Sequence, residues 1–181
     1  LAASPDVCEK AFAASQGNPL FFLWALRVLA VTPERDVDFT HNLEDYFGSV
    51  LGIASNNEDS EPIQRILSVL VAAGTPIDLP TLVAATSSTR LDILRSLDAI
   101  KDLVVVSDGK LSLMHKLILD YLSDPANFMA LAQESIRAAH RALASIALAP
   151  ATSYPAGMAA YHLLASDALD DLVTSIDAPG V

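Results

Sequence analysis

The sequence predicts a mainly α-helical protein with a helical bundle, a winged-helix domain carrying one small β-hairpin, and helical hairpins after it. Apolar residues recur at helical spacing along most of the chain, as in the series Ile63, Ile66, Leu67, Leu70 and Val71. One stretch alone has clear strand character. Three helices followed by a hairpin are typical of a winged helix. A hydrophobic content of 52% supplies enough apolar side chains for packed cores and excludes an intrinsically disordered chain.

The first domain is predicted over residues 1–58 and is helical. Ser4 can cap a first helix, and Gly17 suits the position just after its end. Asn18 then caps a second helix that has Pro19 at its first position. This second helix is apolar on nearly all sides, so we expect it to be buried on most of them. A further amphipathic helix is predicted from Leu43, Tyr46, Phe47, Val50 and Leu51.

Residues 59–124 are predicted to form the winged-helix domain. Its first helix closes at Gly74, and a short proline-containing connector follows. Asp78 is expected to cap a short helix, and Ser87 or Ser88 to begin another. The apolar spacing predicts that this last helix packs through Leu91, Leu94, Leu97 and Ile100.

The wing of this domain is the β-hairpin. The stretch 103–106 is rich in β-branched residues, Asp108-Gly109 is a hairpin turn, and 111–114 forms the returning strand. The chain becomes helical again from His115. The remaining region, 125–181, is predicted to contain a long helix and a helical hairpin. Because the sequence begins at Leu1 without Met and stops just after an apolar helix, we expect it to be part of a longer protein.

Charge and hydropathy disfavour nucleic acids and membranes as partners. The chain has 11 basic and 22 acidic residues, a formal net charge of −11. Such a chain is repelled by phosphate backbones and anionic lipids. In the helix that would read DNA, Arg90 and Arg95 are balanced by Asp92 and Asp98, so DNA binding is not expected. The longest apolar stretch, 20–31, is too short to span a bilayer.

The sequence carries no pattern for catalysis or metal binding. Cys8 is the one cysteine, which excludes an intrachain disulfide and favours a reducing, cytoplasmic location. The four histidines have no metal-ligand spacing, and neither a Gly-x-Ser-x-Gly motif nor a phosphate-binding Gly-x-x-x-x-Gly-Lys-Ser/Thr loop occurs. We expect no catalytic activity from this segment alone.

Two short segments have both a structural and a functional interpretation. Gly17, Asn18 and Pro19 are explained as the end of one helix and the start of the next, but a rigid proline there can also lie flat against a purine. His115, between Met114 and Lys116, can be a half-buried, hydrogen-bonded junction residue. Alternatively, an imidazole and free amides at a helix N-terminus favour a phosphate.

In this order, the elements resemble the region that follows the nucleotide-binding core in STAND NTPases, the signalling ATPases that include NACHT, NB-ARC and NLR proteins. The segment 17–20 is similar to the GxP motif of their helical lid domain. The segment 113–116 is similar to the MHD-type motif that closes their winged helix. The sequences around His140 and His162 resemble the helices that lead into the C-terminal repeats of bacterial NACHT-type proteins.

This resemblance implies that the chain is the regulatory portion of a nucleotide-controlled switch. Pro19 would contact the adenine, and His115 the β-phosphate, of ADP in the resting state. ADP or ATP with Mg²⁺ would be held mainly by an upstream P-loop domain of the same protein. The resemblance further implies autoinhibition, a downstream repeat domain, homo-oligomerisation on activation and a role in cytoplasmic defence.

Lys116 departs from the family pattern, which has Asp at this position and uses it to hold the closed state. We expect Lys116 to pair instead with a nearby carboxylate such as Asp120, four residues further on. An alternative function also stays open at this point. The chain could be a winged-helix module for protein interaction or transcriptional regulation, in a protein without an ATPase.

Overall fold

The computed structural model describes residues 4–15, 17, 19–31, 60–101, 103–127, 130–150 and 152–168. The chain is mainly α-helical with a small antiparallel sheet, as predicted. It divides into two compact units, residues 1–52 and 53–181. The predicted boundary at residue 58 and the predicted helix near Tyr46 lie outside the described residues. The predicted boundary at residue 124 falls inside the second unit, and the three-domain division stays a prediction.

In its described residues, the first unit has two helices that pack together, α1 (Pro5–Ser15) and α2 (Pro19–Val31). The hydroxyl of Ser4 accepts a hydrogen bond from the Val7 N–H at 3.3 Å, so the predicted cap of α1 is confirmed. Gly17 follows α1 with φ of +82°, in the left-handed region that favours glycine. The predicted end of α1 is confirmed, and α2 begins at Pro19 as predicted, whereas its predicted cap, Asn18, lies outside the described residues.

The helix α2 is less enclosed than its composition predicts. Phe21 and Ala25 are fully buried, and Trp24 and Leu29 nearly so. Leu23 is 54% exposed, however, so the expectation of burial on most sides is wrong at this position. Among the described residues of this unit, α1 is the helix that packs on α2. Because a single helix covers one face of its neighbour, side chains on another face of α2, such as Leu23, stay exposed.

The second unit is built around α3 (Ser60–Ala73), whose predicted apolar stripe is buried. Its other elements follow in chain order: β1 (Ile77–Asp78), α4 (Leu79–Thr86), α5 (Arg90–Ala99), β2 (Val104–Ser107), β3 (Lys110–Leu113), α6 (Lys116–Ser123), α7 (Gln133–Leu148), a 3₁₀ turn (Ala156–Met158) and α8 (Ala159–Ala165). Helices α4, α5, α6 and α7 all pack against α3. The core of the unit therefore lies around α3.

The wing is a sheet of three antiparallel strands in the order β1-β3-β2. Asp108 and Gly109 both have positive φ, 52° and 74°, as a tight hairpin turn with the twist of its strands requires. The predicted hairpin is confirmed, but the predicted connector, Thr75-Pro76-Ile77, is wrong at Ile77, which lies in a strand. Ile77 lies in β1 and pairs with Leu111 of β3. β1 has two residues and is too short to show an alternating pattern.

Helix α5 differs from its prediction in both its start and its buried face. Its N-cap is Thr89, because Ser87 takes a left-handed conformation that ends α4. Leu91 and Leu94 are 57% and 47% exposed, contrary to the prediction. The prediction is confirmed at Ile100, the buried C-cap, and Leu97 is half-buried, whereas Ile93 and Ser96 are buried without having been predicted. Packing against α3 thus buries the side of the helix that carries Ile93 and Ser96, which apolar periodicity alone does not favour.

Asp78 links the start of α4 to a distant loop. Its carboxylate accepts a hydrogen bond from the Thr81 N–H at 2.8 Å, which confirms the predicted cap, and another from the hydroxyl of Ser153. Burial raises the pKa of Asp78, but the hydrogen bonds from Ser153 and Thr81 and the charge of Lys110 outweigh it, so the pKa lies below its usual value. The folded protein therefore holds this carboxylate ionised.

The substitution Asp78→Ala is expected to lower the free energy of unfolding by about 1–2 kcal/mol, because it removes the cap and leaves the Ser153 hydroxyl without this partner. Urea denaturation measures the change. The control Ser153→Ala keeps the cap and is expected to cost less. Equal losses in the two variants would contradict a capping role for Asp78.

Candidate functional site

His115 occupies the junction between β3 and α6 and is half-buried. It is the N-cap of α6, with extended backbone (φ −149°, ψ 146°), and its Nδ1 accepts a hydrogen bond from the Leu117 N–H at 3.1 Å. A neutral imidazole carries one proton, and an accepting Nδ1 has none. The cap therefore assigns the proton of His115 to Nε2, which can donate a hydrogen bond to an acceptor.

A cavity of about 290 Å³ adjoins His115. The connector Gly74–Pro76, residues of β3 and the first turns of α6 line it, together with Leu70 of α3. His115 and Lys116 both belong to this lining. Because the N-terminal end of a helix carries partial positive charge, the cavity joins three features that favour an anion.

Lys116 forms the predicted ion pair with Asp120, and its Nζ lies 3.5 Å from the carboxylate. The two side chains are 83% and 50% exposed, so water screens the pair and its contribution to stability is small. The ammonium can exchange this partner for an anion at little energetic cost. Lys116 thus adds a cationic group to the edge of the cavity.

The site residues predicted from sequence fall in both units. Met114, 39% exposed, joins His115 and Lys116 in one segment of the second unit. Gly17 and Pro19 belong to the first unit, where Pro19 is the exposed first residue of α2. Asn18 lies outside the described residues.

A buried polar cluster in the second unit was not predicted from sequence. Nδ1 of His140 on α7 lies 2.8 Å from Nδ1 of His162 on α8. Nε2 of His162 lies 2.6 Å from the hydroxyl of Tyr154, in the loop between these helices. His162 is fully buried, and His140 and Tyr154 are 7% and 5% exposed. These two hydrogen bonds give the buried ring nitrogens and the Tyr154 hydroxyl their partners. The contact between His140 and His162 holds α8 against α7.

Burial sets the protonation state of this cluster. It lowers the pKa of His162 to about 4, with a further contribution from the adjacent His140, and it also lowers the pKa of His140. Both histidines are therefore neutral at neutral pH. His140 and His162 lie 22 residues apart on two helices. No motif spacing could reveal their contact, which depends on how the helices pack.

Among the described residues, no group of three or more His, Cys, Asp or Glu side chains could hold a metal ion. Within the same part of the chain, no helix has the length and apolar character needed to cross a membrane. Comparisons of the chain with models of protein families, with curated proteins and with solved structures found no match. The functional interpretation therefore depends on the residues themselves.

Proposed function

We propose that this chain is the regulatory portion of a STAND-type signalling ATPase of the cytoplasm. In this role it helps to hold ADP or ATP bound by an upstream P-loop domain, and couples the nucleotide state to autoinhibition and homo-oligomerisation. One observation carries the proposal: His115 caps α6 beside a cavity, with its proton on Nε2. The resemblance of the segments 17–20 and 113–116 to the GxP and MHD-type motifs supports it.

The chain's own residues suit contact with a nucleotide whose main binding site is elsewhere. The Nε2–H of His115 donates a hydrogen bond to a phosphate oxygen, and Lys116 adds positive charge beside it. The exposed ring of Pro19 offers a flat apolar face to the adenine. Mg²⁺ with ADP or ATP would neutralise phosphate charge when the nucleotide is bound by the P-loop domain.

Regulation then follows from contacts that exist in one state only. If His115 binds the nucleotide in the closed resting state and loses it in the open state, the nucleotide shifts the equilibrium between them by its differential affinity. In this proposal the winged helix packs against other domains rather than DNA, and a downstream repeat domain senses the signal. Exposed Leu91, Leu94 and Val106 are suited to such protein contacts.

The same exposed apolar residues favour the second candidate function, a winged-helix interaction or transcription-regulator module in a protein without an ATPase. Val106 on the wing is 66% exposed, and Leu91 on α5 57%. Charge on α5 is balanced between Arg90, Arg95 and two aspartates, which favours protein over DNA as its partner. Nucleotide content of the full-length protein distinguishes the two candidates.

In the full-length protein, His115→Ser is expected to weaken ADP retention about tenfold, because it removes one hydrogen bond to a charged phosphate. Serine still caps a helix, so α6 keeps its start. The measurement is the ADP released by denaturing purified protein, compared with the unsubstituted chain. Thr89→Ala, which removes the cap of α5 instead, is the control and should retain ADP. Unchanged ADP occupancy in His115→Ser would contradict the role.

A further inference from the structure

The strand β2 forms an open edge of the sheet in the wing. In the order β1-β3-β2 it pairs with β3 on one side, and no other strand of the described residues pairs with its opposite side. The sheet's other edge, β1, has two residues, whereas β2 has four. The outer side of β2 therefore presents the longer row of backbone groups to which a further strand can bond.

The register of the hairpin identifies these backbone groups. At its base the Met114 N–H donates a hydrogen bond to the Leu103 carbonyl at 2.8 Å. Residues that bond to the neighbouring strand alternate along an antiparallel ladder, so Val105 also bonds to β3. Val104 and Val106 lie between these positions and direct their N–H and C=O groups away from β3. Each of them offers one donor and one acceptor at the open edge.

The side chains of β2 favour pairing as well. The strand reads Val-Val-Val-Ser and contains neither a proline nor a charged residue, the features that usually protect an edge strand from pairing. Val105 and Val106 are 42% and 66% exposed and point to opposite faces of the sheet. β-Branched side chains of this kind suit a strand within a sheet. The edge is thus apolar on both faces.

The charges beside β2 permit a second copy of the chain to approach. Two copies that each carry −11 repel each other, but charges more than about 8 Å apart are largely screened at physiological ionic strength. Lys101 and Asp102 precede β2, and Asp108 and Lys110 follow it. Each end of the strand therefore has one charge of each sign, and the local net charge is zero.

We propose that two copies of this chain pair through β2 in antiparallel orientation, with Val105 on the two-fold axis. In this register Val104 of each copy bonds with Val106 of the other, so all the outward backbone groups of these two residues are used in four hydrogen bonds. Val105 then faces its counterpart in the second copy in a closely spaced pair. The two sheets of three strands become one continuous sheet.

The side chains support the same register. It places the exposed Val106 of one copy beside Val104 of the other, which is 8% exposed, so apolar surface leaves water on this face too. The contact is much smaller than the roughly 1,600 Å² of a standard stable complex. We therefore expect a reversible dimer with a Kd of about 100 μM. The pairing needs no nucleotide and is independent of the function proposed for His115.

Sedimentation equilibrium of the chain from about 10 μM to about 1 mM tests the proposal, since this range spans the expected Kd. Val105→Lys places two ammonium groups opposite each other on the axis and should weaken the dimer at least about tenfold. The matched control Leu91→Lys makes the same change at a residue of α5 that is 57% exposed and should leave the Kd unchanged. Both substitutions are at exposed positions, so the Tm of the monomer should change little.

Cross-linking tests the register. With Cys8 replaced by Ser, Val105→Cys should form a disulfide-linked dimer under oxidised glutathione faster than Val106→Cys, because Val106 faces Val104 of the second copy rather than its own counterpart. A chain that stays monomeric at every concentration, equal weakening by Val105→Lys and Leu91→Lys, or cross-linking of Val106→Cys as fast as Val105→Cys would overturn the proposal. None of these outcomes involves ADP retention, so the function proposed for His115 is tested separately.

Discussion

Acidification from neutral pH to about 4 is expected to lower the free energy of unfolding of the second unit by up to about 3 kcal/mol through His162 alone. His162 is fully buried between His140 and Tyr154. Burial and the adjacent His140 lower its pKa from 6.5 to about 4. The folded protein therefore excludes a proton that the unfolded chain accepts.

The direction follows from proton binding in the two states. Well above pH 6.5, His162 is neutral in both the folded and the unfolded state, so it does not lower the free energy of unfolding. As the pH falls from 6.5 towards 4, the unfolded chain gains the proton first and becomes relatively more stable. Below about 4 the folded state is protonated too, and the loss stops growing. His140, whose pKa burial also lowers, acts in the same direction.

Urea denaturation at a series of pH values measures the effect as the difference between the unsubstituted chain and His162→Gln, which cannot titrate at this position. The variant is expected to be less stable at neutral pH and to show a shallower loss on acidification. Asp167→Asn is the control, because it removes an exposed ion pair, that of Asp167 with Arg137, and leaves both buried histidines in place. Parallel pH curves for the unsubstituted chain and His162→Gln would contradict the expectation.

Replacing Ile77 by Ala is expected to cost about 3 kcal/mol of unfolding free energy. Ile77 is 2% exposed and pairs with Leu111, so β1 anchors the connector to the sheet through this side chain. The shorter side chain loses buried apolar contacts and leaves a cavity that the surrounding core fills only in part. Chemical denaturation followed by circular dichroism measures the loss.

The control for this variant is Val106→Ala, also in the wing. Val106 is 66% exposed, and its truncation should change the unfolding free energy by less than about 0.5 kcal/mol. A cost at Ile77 no larger than at Val106 would contradict the place of β1 in the core. Because Pro76, next to Ile77, lines the cavity at His115, the anchor also shapes that site.

Local signals predicted much of the fold. Helix caps at Ser4 and Asp78 and the turn at Asp108-Gly109 depend on a few neighbouring residues, and the structure has all of them. The buried face of α5 and the strand β1 depend instead on tertiary packing. On α5 the apolar series favoured Leu91 and Leu94 over Ile93 and the polar Ser96, which are the residues buried, and Ile77 lies in a strand too short to show alternation.

The same distinction applies to the candidate sites. His115 could be found from sequence because its motif, its helix start and its partner Leu117 are contiguous. The ion pair of Lys116 with Asp120 followed from helical spacing. The His140–His162 contact arises only when separate helices come together, so no local pattern announces it.

Determining the coding sequence upstream of Leu1 in the parent gene tests the central claim most directly. The proposed switch requires a phosphate-binding loop to hold the nucleotide, because His115 and Pro19 are proposed only to add contacts to it. We predict a Gly-x-x-x-x-Gly-Lys-Ser/Thr motif after an apolar strand, followed by a strand that ends in acidic residues. A complete upstream sequence without such a loop would contradict the switch and would leave the winged-helix interaction module as the better account.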